Sequence, residues 1–134
     1  MNDCIFCKIA AGEIPAAKVY EDEHTVAFFD MFPATRYHTL VVPKKHFENM
    51  FDADAAELAH LMNAVKKVAD IYAEKLGFDN IQIVNANGAA AQQSVMHLHY
   101  HIIPRHKDDG LDIEWPRHPE CQGEFDEMLK KLKN

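Results

Sequence analysis

The sequence lacks any apolar run approaching the roughly 20 residues that a membrane span requires. Its amino-terminal stretch, MNDCIFCKIA, has no long apolar run, so we expect no secretory signal and a cytoplasmic protein. Only three cysteines are present, and in that compartment they are expected to be thiols or metal ligands rather than a disulfide framework. With no internal repeat, low-complexity tract or linker, we interpret residues 1–134 as a single domain.

Basic residues are also in short supply. Fourteen lysines and arginines face 21 aspartates and glutamates, which leaves a formal net charge of −7. Proteins that coat DNA or RNA usually present a basic face, so this balance argues against a nucleic-acid polymer as partner. A small anionic ligand stays possible, because it needs only a local cluster of hydrogen-bond donors.

The clearest predicted element is a helix from Asp54 to Leu76. Asp54 is suited to cap its first turn with Glu57 three residues on, and Gly77 is suited to end it. The apolar residues recur at helical spacing, at Ala55, Leu58, Leu61, Met62, Val65, Val68, Ala69, Tyr72 and Leu76.

The remaining predicted elements are short. CIFCKIAAG is expected to form a short helix ending at Gly12, and AKVYEDEHTVAFFD two strands around the turn Glu21–Glu23. HTLVVPKKH is predicted to be a strand without a water-facing side, ending at Pro43. NIQIVNAN is predicted to be a further strand, GAAAQQS a loop, and Gly123 to Lys133 a terminal helix. Because strands and helices do not alternate, the pattern predicts an α+β fold with a mainly antiparallel sheet.

Three histidines alternate with apolar residues in HLHYHII, which begins at His97. Side chains alternate between the faces of a strand, so His97, His99 and His101 are expected to share one face. Single histidines are commonly just half-buried, but three in strict alternation are a poor way to fill a core. Two functional interpretations stay open on this pattern alone: a metal site, or nucleophilic and acid–base chemistry by imidazole.

The surroundings favour phosphate chemistry over a metal hydrolase. QQSV, directly before the histidines, supplies amide and hydroxyl donors of the kind that hold phosphate oxygens. A metal hydrolase would want carboxylates close by, and none occurs between Asn80 and Lys107.

The motif HLHYHII resembles the signature of the histidine triad (HIT) family of nucleotide hydrolases and transferases. CIFCKIAAGEIPAAKVYEDEHTVAFFD, HTLVVPKKH, IVNANGAAAQQSVMHLHYHIIPR and DGLDIEW are similar to their counterparts in bacterial, Hint-like members, so the resemblance covers all but about the last twenty residues. It implies a five-stranded antiparallel sheet with one long helix and short terminal helices. It also implies a homodimer in which two such sheets join.

The resemblance further implies a catalytic mechanism. His99 would attack the α-phosphorus of a purine nucleotide conjugate and form a covalent nucleotidyl-histidine, which water then hydrolyses. His101 would hydrogen-bond the phosphate, and His38 would hold the other ring nitrogen of the nucleophile. Ser94 would donate to the leaving group or a phosphate oxygen, and Gln93 would reach the bridging position.

A nucleoside pocket is implied in the same way. Asp30 would accept hydrogen bonds from the ribose hydroxyls, and Asn85 would contact the sugar. Apolar residues are commonly buried, so without the resemblance those of this pocket could equally belong to the hydrophobic core. Asp30 could in the same way be a turn residue. The apolar slot for the base would comprise Ile5, Phe6, Ile9, Phe28 and Met31.

Cys4 and Cys7 form a C-x2-C pair that allows a redox pair, a zinc site or two buried thiols. A redox pair normally follows a strand in a βαβ unit, which is missing here. The resemblance to zinc-containing HIT relatives implies a structural zinc held by Cys4, Cys7, His46 and His97. In that arrangement the first triad histidine anchors its strand, and the other two are available for chemistry.

Two positions depart from the family pattern or vary within it. Gln92 occupies a place where glycine is common in relatives and could narrow the approach of phosphate. Trp115 is our candidate for a residue that reaches the partner's active site in a dimer. The leading hypothesis is an enzyme, and the alternative is a nucleotide-binding regulatory module whose turnover is incidental. A zinc-dependent hydrolase is the third possibility, and it differs in predicting that chelation abolishes the chemistry directly.

Overall fold

A computed structural model describes residues 3–112 and 114–133. Five strands form one antiparallel sheet: the first three lie side by side in chain order, and the fifth lies between the third and the fourth. The predicted α+β class, with one long helix and short terminal helices, is confirmed. No helix in the described ranges is long and apolar enough to cross a membrane. The helices are α1 (Ile5–Ala10), α2 (Ala55–Leu76) and α3 (Phe125–Lys133), and the strands are β1 (Lys18–Glu21), β2 (Thr25–Phe29), β3 (Thr39–Pro43), β4 (Ile81–Val84) and β5 (Tyr100–Pro104).

Helix α2 has the predicted bounds because its two ends are capped locally. The Asp54 carboxylate accepts a hydrogen bond from the backbone N–H of Glu57 at 2.8 Å. Gly77 ends the helix in the left-handed conformation, with φ of 75°, which costs a glycine little. The predicted apolar stripe is too wide, because Met62 and Leu76 remain 46% and 41% exposed.

Strands β2 and β3 are buried on both faces, as predicted for β3. Even-numbered side chains of the two strands pack toward α1, whereas Ala27 and Val41 pack toward α2. The sheet is therefore sandwiched between a long helix on one side and a short amino-terminal helix on the other. The core on the α1 side consists of Phe6, Ile9, Val26, Phe28, Leu40 and Val42.

The histidine segment is only partly a strand, which corrects the prediction. Ladder pairing starts at Tyr100, and the preceding residues bond elsewhere. The backbone N–H of Leu98 donates to the carbonyl of Phe47, beyond β3, at 2.8 Å, and Asn85 donates to the carbonyl of His99 at 2.9 Å. The expected alternation nevertheless holds, since Leu98 and Ile102 lie in the core on the α2 side.

The carboxyl-terminal region starts with a 3₁₀ helix, Pro119–Glu124, and continues into α3. The predicted terminal helix therefore begins two residues late, at Phe125. Four apolar side chains of α3 are exposed, namely Phe125, Met128, Leu129 and Leu132.

Candidate active site and metal centre

The amino-terminal cysteines, the loop after β3 and the first triad histidine meet at one point. Ligand atoms of Cys4, Cys7, His46 and His97 all lie within 4.8 Å of one another. The Nδ1 atom of His97 is 3.2 Å from the Cys4 sulfur, 3.5 Å from the Cys7 sulfur and 3.1 Å from the Nδ1 atom of His46. The four residues named from the resemblance are thus together.

Backbone geometry orients the His97 ring toward the cysteines. Its Nε2–H donates to the carbonyl of Pro43 at 2.8 Å, which leaves the lone pair of Nδ1 facing the two sulfurs. Burial lowers the pKa of His97 to about 4, partly offset by the bond to Pro43. The imidazole is therefore neutral at neutral pH, which is the form that binds metals.

The donor set fits a tetrahedral zinc ion. Bonds of about 2.0 Å to nitrogen and about 2.3 Å to sulfur give tetrahedron edges of about 3.3–3.8 Å. Four of the six distances between donor atoms range from 3.1 Å for the two nitrogens to 3.5 Å between Cys7 and His97, and all six lie within 4.8 Å. Two thiols and two imidazoles match the structural Cys₂His₂ type of site.

His99 is held by the carbonyl of a neighbouring residue. Its Nδ1–H donates to the backbone oxygen of His97 at 2.7 Å, so the lone pair of the neutral ring lies on Nε2. The side chain is buried and packs edge-on against Phe6, with ring centres 5.3 Å apart. Burial lowers the pKa of His99, so the ring is neutral and nucleophilic near neutral pH.

His38 contacts His101 and not the ring of His99, which corrects the role expected for it. The backbone N–H of Ala34 donates to Nδ1 of His38 at 2.9 Å, so the proton of the neutral ring is on Nε2. That Nε2 lies 2.9 Å from Nδ1 of His101. We expected His38 to bond a ring nitrogen of His99. That nitrogen, Nδ1, instead donates to the carbonyl of His97.

His101 consequently presents an N–H to the cavity that it lines. Because Nδ1 accepts from His38, the proton of the neutral His101 ring is on Nε2. Burial, together with the neighbouring rings of His99 and His38, lowers its pKa to about 4, although the nearby Asp30 carboxylate acts in the opposite direction. It is therefore a neutral hydrogen-bond donor at neutral pH.

Asp30 lies beside these histidines, at the end of β2. One carboxylate oxygen accepts from the backbone N–H of Phe32 at 2.8 Å. The other lies 3.5 Å from Nε2 of His38, near enough for an electrostatic contact. Asp30 therefore stabilises a turn, as the sequence allowed, and also lines the cavity described next.

A cavity of about 450 Å³ joins these groups to an apolar slot. Ser94, His99, His101 and Asp30 are the polar side chains among its described lining residues. A volume of this size suits a small-molecule ligand. All five apolar residues predicted for the base line it, namely Ile5, Phe6, Ile9, Phe28 and Met31. Residues that the sequence did not single out, among them Ile14, Ala16, Phe32 and Leu40, complete the walls.

Asn85 and Gln93 lie outside this lining. Asn85 donates to the carbonyl of His99 and so supports the backbone of the triad. The Gln93 amide is buried, donates to the carbonyls of Glu48 and Val95, and accepts from the N–H of Gly88. Direct contact of either amide with a ligand would require these bonds to break, so the geometry favours a positioning role over the predicted binding role.

The two departures noted in the sequence are both at the surface. Gln92 is exposed, with φ of 72°, a conformation that glycine adopts more readily. Trp115 is 79% exposed, and its contact with a partner chain stays a prediction. Sequence patterns could not identify Pro43 and Ala34, because both act through backbone atoms that every residue type carries.

Comparison with known proteins identifies a matching family model and relatives that align over nearly the whole chain. The HIT domain model matches residues 11–108. An uncharacterized HIT-like protein of Methanocaldococcus jannaschii is 48% identical over 130 residues, covering 97% of this chain and 98% of the relative. The adenosine 5′-monophosphoramidase of Schizosaccharomyces pombe is 36% identical over 135 residues, covering 97% of this chain and 98% of that enzyme.

A solved structure is also closely similar. The Zn-bound histidine triad family protein from Mycobacterium smegmatis superimposes with a TM-score of 0.78 at 34% sequence identity. The alignment covers 98% of this chain and 96% of the other.

Proposed function

This chain belongs to the histidine triad (HIT) family, and from that premise we propose that it hydrolyses purine nucleotide conjugates at their α-phosphorus. The substrates would be phosphoramidates, acyl-nucleotides or dinucleoside polyphosphates. One observation carries the proposal: His99, in the wall of an apolar cavity, has its Nδ1–H bonded to a carbonyl and its Nε2 lone pair available. The relative in S. pombe is named an adenosine 5′-monophosphoramidase, which supports this substrate class.

The proposed first step forms a bond between Nε2 of His99 and the α-phosphorus while the bond from phosphorus to the leaving group breaks. The ring becomes positively charged, because it keeps its Nδ1–H while Nε2 is phosphorylated. The carbonyl of His97 accepts that N–H at 2.7 Å, and its partial negative charge stabilises the positive charge of the ring. The same bond holds the ring in one orientation before reaction.

His101 and Ser94 are proposed to contact the phosphate and the leaving group. The Nε2–H of His101 donates to a non-bridging phosphate oxygen, and the Ser94 hydroxyl donates to the leaving atom or a second phosphate oxygen. Water then attacks the phosphorus, which releases the nucleoside monophosphate and restores neutral His99. His38 is proposed to act through His101, whose proton position it sets.

The nucleoside is proposed to occupy the apolar part of the cavity, between α1 and β2. Phe6 and Phe28 pack edge-on at 5.6 Å between ring centres and form a firm wall for a flat base. The Asp30 carboxylate accepts from the ribose hydroxyls. Asn85 and Gln93 are proposed to support the loop and the triad backbone from outside the cavity.

A zinc ion is proposed to bind Cys4, Cys7, His46 and His97 in a structural role. The ion supplies folding energy by joining the amino terminus to the loop after β3 and to the triad. The similar structure from M. smegmatis is described as Zn-bound, which supports this assignment. Neither His99 nor His101 is among the four ligands.

A homodimer is proposed to form along the open edge of the sheet. Strand β4 is an edge strand, and its Ile81 and Ile83 are 37% and 39% exposed. Light scattering of the wild-type chain and of Ile83→Lys tests this. We expect the mass of two chains for the wild type and of one chain for the variant, because a buried lysine would oppose edge pairing.

The activity is tested with a fluorogenic adenosine 5′-phosphoramidate. We expect turnover by the wild type, a loss of at least about 10³-fold in kcat for His99→Ala, and unchanged bound zinc in that variant. His106→Ala is the matched control, because it removes an exposed imidazole outside the cavity and should keep full activity. Tight nucleotide binding without turnover would instead support the regulatory-module alternative, and loss of zinc from His99→Ala would contradict the separation of nucleophile and metal.

A further inference from the structure

A second group of metal-ligating side chains lies where the β1–β2 turn meets α2. It consists of His24, Glu57 and His60, called here the turn–helix cluster. Ligand atoms of the three residues lie within 4.8 Å of one another, and each residue is half-buried. The rings of His24 and His60 are stacked, with centres 3.7 Å apart and planes 8° from parallel. None of these residues lines the cavity beside His99 and His101 or belongs to the cysteine-containing cluster.

The backbone positions of this cluster are fixed by hydrogen bonds. The N–H of His24 donates to the Asp22 carboxylate at 2.8 Å, and its carbonyl accepts from the N–H of Lys44 at 2.8 Å. Glu57 and His60 are three residues apart on α2, a spacing that puts both side chains on one face of the helix. The fold therefore keeps the backbone of the three residues together before any ligand arrives, so binding requires only side-chain rotation and has a lower entropic cost.

The charge at the cluster favours a cation. Glu57 supplies one carboxylate, and a carboxylate oxygen of Glu23 lies 3.8 Å from Nε2 of His24. Two imidazoles and one carboxylate are a ligand set suited to zinc, cobalt, nickel or copper. Magnesium and calcium prefer sites built from oxygen alone, so they fit this set poorly.

We infer that the turn–helix cluster is a second binding site for a divalent transition-metal ion, independent of the proposed structural zinc site. The ion is bound by one ring nitrogen from each histidine and by the Glu57 carboxylate, and water fills the remaining positions. The lone pair with which a neutral imidazole binds a metal lies in the plane of its ring, so two parallel rings cannot both point at one ion. Binding therefore separates the stack by side-chain rotation, which the partial exposure of both histidines allows.

Zinc uptake tests this inference. The wild type, His60→Ala and Glu57→Gln are dialysed against the same buffered zinc solution, and bound metal is measured by mass spectrometry. We expect His60→Ala to bind about one zinc ion fewer per chain than the wild type, and Glu57→Gln to bind its ion at least about tenfold more weakly. The readout is a difference between variants, so it does not depend on whether the proposed structural site or the proposed activity is correct.

His106→Ala is the matched control, because it also removes one histidine from the surface and should bind as much zinc as the wild type. Circular dichroism checks that every variant is folded. Equal uptake by wild type, His60→Ala and Glu57→Gln would overturn the inference.

A second readout follows the ring stack itself. Nuclear magnetic resonance of the histidine side chains should show the signals of His24 and His60 shifting together when zinc is added, with no comparable shift for magnesium. If only one of the two signals shifts, or if magnesium acts equally well, the cluster is not the site inferred.

Discussion

The Nε2 atom of His38 lies 2.9 Å from Nδ1 of His101, although the two residues are 63 positions apart in the chain. The N–H of Ala34 occupies the other nitrogen of His38 and so determines which nitrogen carries its proton. The proton position of His101 follows from that of His38. A backbone group in the loop after β2 thereby controls which atom of a triad histidine can donate into the cavity.

We expect His38→Ala to lower kcat toward the phosphoramidate by about 10²-fold, with KM changed less than about threefold. Without its partner, His101 is free to place its proton on Nδ1, where it cannot reach the phosphate. Steady-state kinetics measures both constants, and thermal unfolding checks that the variant is folded. A rise in KM with kcat unchanged would assign His38 to substrate binding instead.

We expect Cys7→Ser to bind about one zinc ion fewer per chain than the wild type and to lower the unfolding temperature by about 10 °C or more. A structural metal contributes folding energy, and the Cys7 sulfur lies 3.3 Å from Nδ1 of His46 within the proposed ligand set. Metal analysis and thermal unfolding provide the measurement. Cys121→Ser is the matched control, since that cysteine is outside the cluster, and it should keep both zinc and stability.

Gln93→Ala is expected to lower the free energy of unfolding by about 2–4 kcal/mol. The buried amide bonds the backbone groups of Gly88, Glu48 and Val95, and alanine would leave them without these partners. Urea unfolding measures the change. The neighbouring exposed residue supplies the control, because Gln92→Ala should change stability by less than about 0.5 kcal/mol. Similar losses for both variants would mean that the buried amide contributes nothing specific.

Asp22 should make the stability of the protein sensitive to acid. Burial opposes its ionisation, but hydrogen bonds from His24, Tyr20 and Thr25 prevail and lower its pKa to about 2. A carboxylate with a lowered folded-state pKa stabilises the fold fully above its unfolded pKa of about 3.9, and this stabilisation is lost as pH falls toward 2.

Asp22→Asn tests this pH dependence. We expect the variant to be less stable than the wild type by about 2 kcal/mol at pH 7, with the difference shrinking between pH 4 and pH 2. Urea unfolding across this range measures both proteins. Asp70→Asn is the control, because Asp70 pairs with Lys66 at the exposed helix surface and contributes little. A difference that stays constant down to pH 2 would show that ionisation of Asp22 is not its source.

The sequence predicts those elements whose causes are local. The first turn of α2 is capped by Asp54 with Glu57, and its last turn by Gly77. Because these residues lie at the helix ends themselves, both bounds could be inferred from the local sequence. The apolar run of β3 likewise predicts burial on both faces. Successive side chains of a strand point to opposite faces, so an unbroken apolar run places apolar side chains on both. The predicted start of β5 was wrong, because residues distant in sequence bond the backbone before Tyr100. Phe47 accepts from the N–H of Leu98, and Asn85 donates to the carbonyl of His99.

For the candidate site, the residue types and their spacing in HLHYHII indicate imidazole chemistry without any structure. Which nitrogen of each ring carries its proton is decided by acceptors and donors from other segments: Pro43 for His97, and Ala34 through His38 for His101. Those partners are backbone atoms or distant side chains, and the chain must fold before they meet. The sequence therefore determines that histidines line this site, and the tertiary structure alone decides which of their nitrogens face the cysteine pair and the cavity.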